Sequence, residues 1–189
     1  MNPEKFLSRG SGETRQKFLQ FQLGTGINGL LEAKIAKEII TIPAKEILPV
    51  PEMPNWVIGI FAYRSEMLWI IDLKQLLGYQ QISSLLTLDS QVNDLSLMAI
   101  VASFENQSLG LVVPNVQGIV EHDLQEIQSP SSELFSQEMI QFIEGHFPCK
   151  EQEITMLLNP RTIFYNETNN GIKSQFNSSE NSETQSFLL

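Results

Sequence analysis

Between residues 17 and 165 the apolar positions come in short runs broken by turn residues, the pattern of β-strands rather than of long helices. Phe18-Leu19-Gln20-Phe21-Gln22-Leu23 alternates imperfectly and stops at Gly24-Thr25-Gly26. From Ile27 to Ile42 two periods compete: Leu31, Ala33 and Ile35 alternate as in a strand, while Leu31, Ile35 and Ile39 share a helix face. The expectation is a strand that becomes a helical turn near Ala36. Pro43, Pro49, Pro51 and Pro54 then exclude a helix interior or a central strand.

Val57 to Leu73 is nearly all apolar except for Arg64-Ser65-Glu66. As one strand it would far exceed the usual ~5–6 residues. Two strands, Gly59–Tyr63 and Met67–Ile71, folded at the polar triplet fit better. Asp72 is then placed to cap a short helix, Leu73–Leu77, that Gly78 ends. Gln80 to Leu95 reads as a loop. A second series follows: Leu97–Phe104 and Leu109–Val113 around the turn Glu105-Asn106-Gln107-Ser108, Val116–Val120 after Pro114-Asn115, then Ile140–His146 and Ile154–Leu158 around Pro148-Cys149-Lys150. Asn159-Pro160 opens a terminal helical turn, with Pro where its missing N–H is tolerated. Self-similarity between the halves is too weak to read a repeat.

The two ends differ from this pattern. Residues 1–16 mix Gly, Ser, Glu, Lys and Arg without periodicity and read as a disordered leader; residues 166–189 are rich in Asn, Ser, Gln, Glu and Thr and read as a disordered tail closing on Phe187-Leu188-Leu189. The chain of 189 residues, 42% hydrophobic, suffices for one domain with a real core or two small intertwined lobes. The formal charge of −10, with no basic patch, argues against nucleic acid and anionic lipid as partners. One cysteine, Cys149, allows no internal disulfide and fits a reducing compartment. No window approaches the ~18 apolar residues of a membrane span. The reading is a cytoplasmic protein without direct membrane insertion.

Catalytic chemistry is hard to assemble. His122, between Glu121 and Asp123, is accounted for by a solvated loop. His146 and Cys149 are half of a metal site, but a structural zinc site takes four ligands and the remaining histidine is distant. There is no phosphate loop and no Gly-x-Ser-x-Gly elbow. Trp69 lies inside a strand, whereas Trp56, beside Pro54 in an irregular stretch, is the more exposed of the two tryptophans. Arg64 sits at the bend between two apolar strands next to Glu66, either as a weak surface ion pair or as a partner anchor. The sequence therefore points to no catalytic residue, no metal and no cofactor.

The order of these pieces resembles the CheW-like domain over about residues 17–165. Phe18 to Gly24 is similar to that family's opening strand, and Ile35 with Glu38-Ile39 to its aliphatic position before Glu-Ile. Pro49-Val50-Pro51 to Pro54 and on through Asn55 to Ser65, then Met67–Ile71 and Asp72-Leu73, resembles a Pro-rich segment followed by Gly-Val-Ile-Asn-Leu-Arg-Gly, an apolar strand and Asp-Leu. Gly110-Leu111-Val112-Val113 with Val116 resembles Gly-x-Val-Val-Asp-x-Val, and Phe142–Gly145 with Met156–Leu158 the final strand pair. Two departures stand out. Asn-Leu-Arg-Gly is here Ala62-Tyr63-Arg64-Ser65, and the Asp after Val-Val is Pro114.

The resemblance implies a mostly β fold: two intertwined five-stranded β-barrel lobes with short helices and a groove between them. It implies a non-catalytic adaptor that couples a methyl-accepting chemoreceptor-like protein to a CheA-type histidine kinase in chemotaxis, phototaxis or twitching motility. The adaptor would be recruited to membrane-associated receptor clusters. Carried over by position, Ile35, Glu38, Arg64 and Gly110 are the expected receptor-binding residues. Trp56 and Tyr63 are further candidate interface residues. The first lobe is expected to meet the kinase. The competing reading is a small-ligand-binding β-barrel, which requires an enclosed apolar cavity.

Overall fold

The computed structural model describes residues 15–79, 95–150 and 153–165. The stretches read as leader, as the loop after Tyr79 and as tail fall almost wholly outside them, although the first strand already begins at Arg15, inside the expected leader. The fold is mostly β. The first half runs β1 (Arg15–Gly24), β2 (Ile27–Glu32), β3 (Ala36–Pro43), a 3-10 turn (Ala44–Glu46), β4 (Val57–Tyr63), β5 (Glu66–Asp72) and α1 (Leu73–Leu76). The second half runs β6 (Ser96–Phe104), β7 (Gln107–Val112), β8 (Asn115–Asp123), a 3-10 turn (Leu124–Glu126), α2 (Gln137–Ile140), β9 (Ile143–Lys150), β10 (Glu153–Leu158) and α3 (Pro160–Tyr165).

Apart from α2, the two halves repeat the same order of elements. They also exchange parts. One five-stranded sheet has the order β8-β1-β2-β10-β9 and the other β3-β6-β7-β5-β4. Each sheet thus takes a hairpin from one half and three strands from the other, the intertwining the resemblance implied. Parallel pairs β2–β10 and β5–β7 join the contributions. Neither ladder closes into a barrel. Single bridges, Gln128↔His146 and Leu48↔Ile60, bring the segment after each 3-10 turn back to the sheet's far edge. That return needs close backbone approach, and a glycine stands at each place. A Cβ on Gly59 would lie 2.3 Å from the Leu48 carbonyl oxygen, and one on Gly145 would lie 2.7 Å from that of Gln128.

Period-2 alternation assigns the side chains. On β5, Trp69 and Ile71 enter a large core, while Leu68 and Ile70 enter a small one with Ile42, Ile47, Ala99 and Val101. On β1, β2 and β10, Leu19, Phe21, Leu31, Met156 and Leu158 enter the same large core, and Phe18, Leu30 and Leu157 pack with Phe147 in a second small one. The large core joins both sheets and all three helices. Burial on both faces explains why Leu68–Ile71 reads as an unbroken apolar run.

Several expectations are corrected. No helical turn forms near Ala36: a hydrogen-bonded turn, Ile35 N–H to the Glu32 carbonyl at 2.9 Å, precedes β3, which begins at Ala36. The strand expected from Ile140 begins at Ile143, because Ser136 caps α2 by accepting the Met139 N–H at 3.3 Å. Pro148-Cys149-Lys150 is not a turn but the end of β9. The turn after β6 is the shorter Glu105-Asn106. His122 lies on β8, not in a loop, its ring 4.3 Å from that of Phe147. The Asp72 cap forms as expected: its Oδ1 accepts the Gln75 N–H at 3.1 Å. Asn159 does the same for α3, accepting the Thr162 N–H at 3.3 Å.

Candidate functional site

In the β3-β6-β7-β5-β4 sheet, Glu38 pairs with Val101, Val101 with Gly110, and Gly110 with Ile70. These residues form one row across four strands, facing the small core. Gly110 belongs in that row because it has no side chain: a Cβ there would meet Ile70 Cδ1 at 2.7 Å and Leu68 Cδ2 at 3.2 Å. Glu38 ends the row on edge strand β3, where its carboxylate leaves the core.

The β4–β5 turn meets that carboxylate. Arg64 and Ser65 have φ of 48° and 69°, both left-handed, as a two-residue turn matched to strand twist requires. Neither is Gly or Asn, so the tip holds a strained conformation. Tyr63 donates its hydroxyl proton to Glu38 Oε2, and Arg64 Nη2 donates to the same oxygen at 2.7 Å. The Arg64 guanidinium carbon stands 5.2 Å from the centre of the Tyr63 ring, within cation–π range. The hydrogen bond to Glu38, then desolvation and the nearby negative charge, raise the Tyr63 pKa above 10.0, with Arg64 acting against them. Arg64 therefore pairs with Glu38, not with Glu66 as sequence proximity had suggested.

Beside this cluster lies a shallow groove lined by Tyr63, Glu66, Met67 and Val101 together with Asn106 of the β6–β7 turn and Gln107 at the start of β7. Its volume, about 150 Å³, is below the ~300–1,000 Å³ of small-molecule pockets. Met67 is 51% exposed. Sequence reasoning did not single it out, although its place at the first strand position after a polar triplet was a signal: side chains there overrun the end of the core.

The remaining candidates sit elsewhere. Ile35 is 3% exposed and belongs to the large core on the sheet's other face, with its carbonyl accepting the Ser103 N–H at 2.9 Å. Trp56 is half-buried against that core and Trp69 fully inside it, so the expected exposure of Trp56 is only partial. The structure therefore brings together Glu38, Tyr63 and Arg64, connects Gly110 to them through Val101, and leaves Ile35 and Trp56 as supports beneath.

Among the described residues no group of three or more His, Cys, Asp or Glu is placed to hold a metal ion. His146 is buried beside Phe135, ring centres 5.5 Å apart, and the Cys149 side chain is outside the described set. No described helix is long and apolar enough to cross a membrane.

A family model described as the CheW-like domain matches residues 17–168. A curated relative, the chemotaxis protein CheW of Treponema pallidum (strain Nichols), is 28% identical over 114 residues, 60% of this chain and 62% of that protein. The chain thus spans under two thirds of the length of that relative. Among solved structures, the scaffolding protein TtCheW from Thermoanaerobacter tengcongensis superposes with a TM-score of 0.61 at 20% identity, over 81% of this chain and 90% of that one. This likeness concerns the fold.

Proposed function

The chain belongs to the CheW-like domain family, and from that premise we propose that it is a non-catalytic adaptor. It would couple a methyl-accepting chemoreceptor-like protein to a CheA-type histidine kinase in chemotaxis, phototaxis or twitching motility. The observation that carries this reading is the convergence of Glu38, Tyr63 and Arg64 on one exposed edge, beside a groove too small for a typical ligand.

Receptor contact is assigned to Glu38 and Arg64, with Tyr63 and Met67 beside them. Ile35 and Gly110 act from below by fixing the backbone of β3 and the row that carries Glu38. A groove of mixed lining, Met67 and Val101 beside Glu66, Asn106 and Gln107, suits one face of an amphipathic helical hairpin. Kinase contact is assigned to a separate surface, so that both partners are held at once, and modest affinities combine through linked contacts. Such a protein would work in the cytoplasm at membrane-associated receptor clusters.

The test is co-elution. The chain, a CheA-type kinase from the same source and a soluble receptor hairpin should form one ternary complex, with kinase and hairpin failing to join without the chain. If the chain joins neither, the adaptor reading is wrong.

A further inference from the structure

We propose that Tyr63 is the specificity-determining positioning residue of this edge, clamping Glu38 and Arg64 into a single unit of no net charge that selects a neutral, amide-bearing partner surface. The proposal rests on the adaptor reading and adds to it the chemistry that the edge accepts.

The geometry has two parts. Both donors, the Tyr63 hydroxyl and Arg64 Nη2, converge on one oxygen of Glu38, Oε2. Among the described residues the other oxygen, Oε1, carries no further hydrogen bond, nor do the remaining guanidinium N–H groups of Arg64. The Tyr63 ring beneath the guanidinium holds it from a second side. Yet the Arg64 and Glu38 side chains remain 72% and 38% exposed. The edge thus presents an acceptor and several donors side by side, in fixed positions.

A carboxylate and a guanidinium in contact have the field of a dipole, which fades with distance faster than that of either charge. A lone Lys or Glu on the partner gains little from approaching such a unit. A side-chain amide of Asn or Gln, with one donor group and one acceptor, satisfies both halves at once. Specificity then depends on close hydrogen-bond geometry, and salt has little charge to screen. Leucine, the residue found here in the family pattern, has neither hydroxyl nor aromatic face. An exposed ion pair without that clamp is mobile and weak, so its two charges act separately. The departure Ala62-Tyr63-Arg64-Ser65 is, on this account, a change of partner chemistry.

The experiment titrates the receptor hairpin fragment into the full chain at about 50 and about 300 mM salt, for wild type, Tyr63→Phe and Tyr63→Leu. Kinase affinity and the unfolding midpoint report folding. Wild type should change affinity less than about twofold between the two salts. Tyr63→Phe, which keeps the ring and loses the hydroxyl, should weaken fragment binding several-fold. Tyr63→Leu should weaken it further. Both variants should show a salt ratio about threefold larger than wild type, with kinase affinity unchanged. Wild-type binding with both variants matching it in affinity and salt ratio overturns the proposal and leaves the adaptor reading standing. Absence of fragment binding by wild type itself overturns both.

Discussion

Two corners of the molecule carry the same three side-chain types. At one, Glu38 accepts from Tyr63 and from Arg64, at 2.7 Å for the arginine. At the other, Glu105 accepts from Arg161 at 2.7 Å and from Tyr165, and Arg161 lies 6.0 Å from the centre of the Phe104 ring. Both arginines are about equally exposed, 72% and 68%. The difference is in what each pair connects. Arg161 and Tyr165 come from α3, so their contacts fasten a short terminal helix onto the β6–β7 turn, where Phe104 also meets Phe164 at 5.7 Å. Arg64 sits on a turn already fixed by the β4–β5 ladder, from Tyr63↔Glu66 upward. The first pair ties edge strand β3 to that turn and holds no helix in place. Both corner turns hold non-glycine residues at left-handed φ, Arg64-Ser65 and Glu105-Asn106; the Glu38 corner, which fastens no helix, is the one we propose for a partner.

The largest expected effect is on the fastening side. Phe164→Ala removes a side chain only 3% exposed in the large core, and should cost about 3–5 kcal/mol in denaturant unfolding. Receptor-fragment binding measured where the variant is still folded should not change. If it falls as much as stability does, the two corners are not separable.

Next comes charge reversal. Arg64→Glu places a second carboxylate against Glu38 and should reduce receptor-fragment affinity about tenfold or more, while stability moves by less than about 0.5 kcal/mol. Arg161→Glu should show the inverse pattern: about 1 kcal/mol lost from stability and no change in binding. Calorimetric titration and thermal unfolding of both variants check the pair. Equal binding losses would erase the distinction.

The caps give a smaller, matched effect. Asn159→Ala and Asp72→Ala should each cost about 1 kcal/mol. Asp72→Ala should cost slightly more, because Asp72 also accepts from the Gln75 side chain at 3.0 Å. Only Asn159→Ala should loosen the Glu105 corner, read by amide exchange over α3.

The smallest effect is with pH. The Tyr63 hydroxyl has its pKa raised above 10.0, first by the hydrogen bond to Glu38. A raised folded-state value favours folding below the unfolded value and is lost as pH rises through the folded one. Unfolding followed up the alkaline range should show stability falling above about pH 10. Glu38→Gln should blunt the part due to Tyr63, while the raised values of Tyr79 and Tyr165 still contribute.

Much of this was legible along the chain. The strand pair around Arg64-Ser65, the Asp72 cap and the Asn159-Pro160 helix start are local signals and appear in the fold. The family resemblance also gave the intertwined five-stranded lobes. What was hidden involves contacts distant in sequence. Glu38 and Arg64 are 26 residues apart and meet only because the sheet curls to bring β3 toward β4. Glu66, next but one in sequence, looked the nearer partner. The repeated order of elements is masked because the halves exchange hairpins, so equivalent strands face different neighbours and need different side chains. Ala36 misled because Leu31, Ile35 and Ile39 also fit a helical face, although Ile35 enters the core and Ile39 is 46% exposed. Trp56 misled because its prolines suggested an open loop, while its carbonyl accepts the Asp72 N–H at 2.8 Å and anchors it at the core.

The central claim, that the Glu38–Tyr63–Arg64 edge holds the receptor while another surface holds the kinase, is tested most directly by one titration. A receptor hairpin fragment is added to the preformed complex of this chain with a CheA-type kinase, for wild type and for Arg64→Glu. The account predicts that wild type takes up the fragment without releasing the kinase, and that Arg64→Glu keeps the kinase and loses the fragment. Fragment uptake by Arg64→Glu equal to wild type, or loss of both partners together in a folded variant, would contradict it.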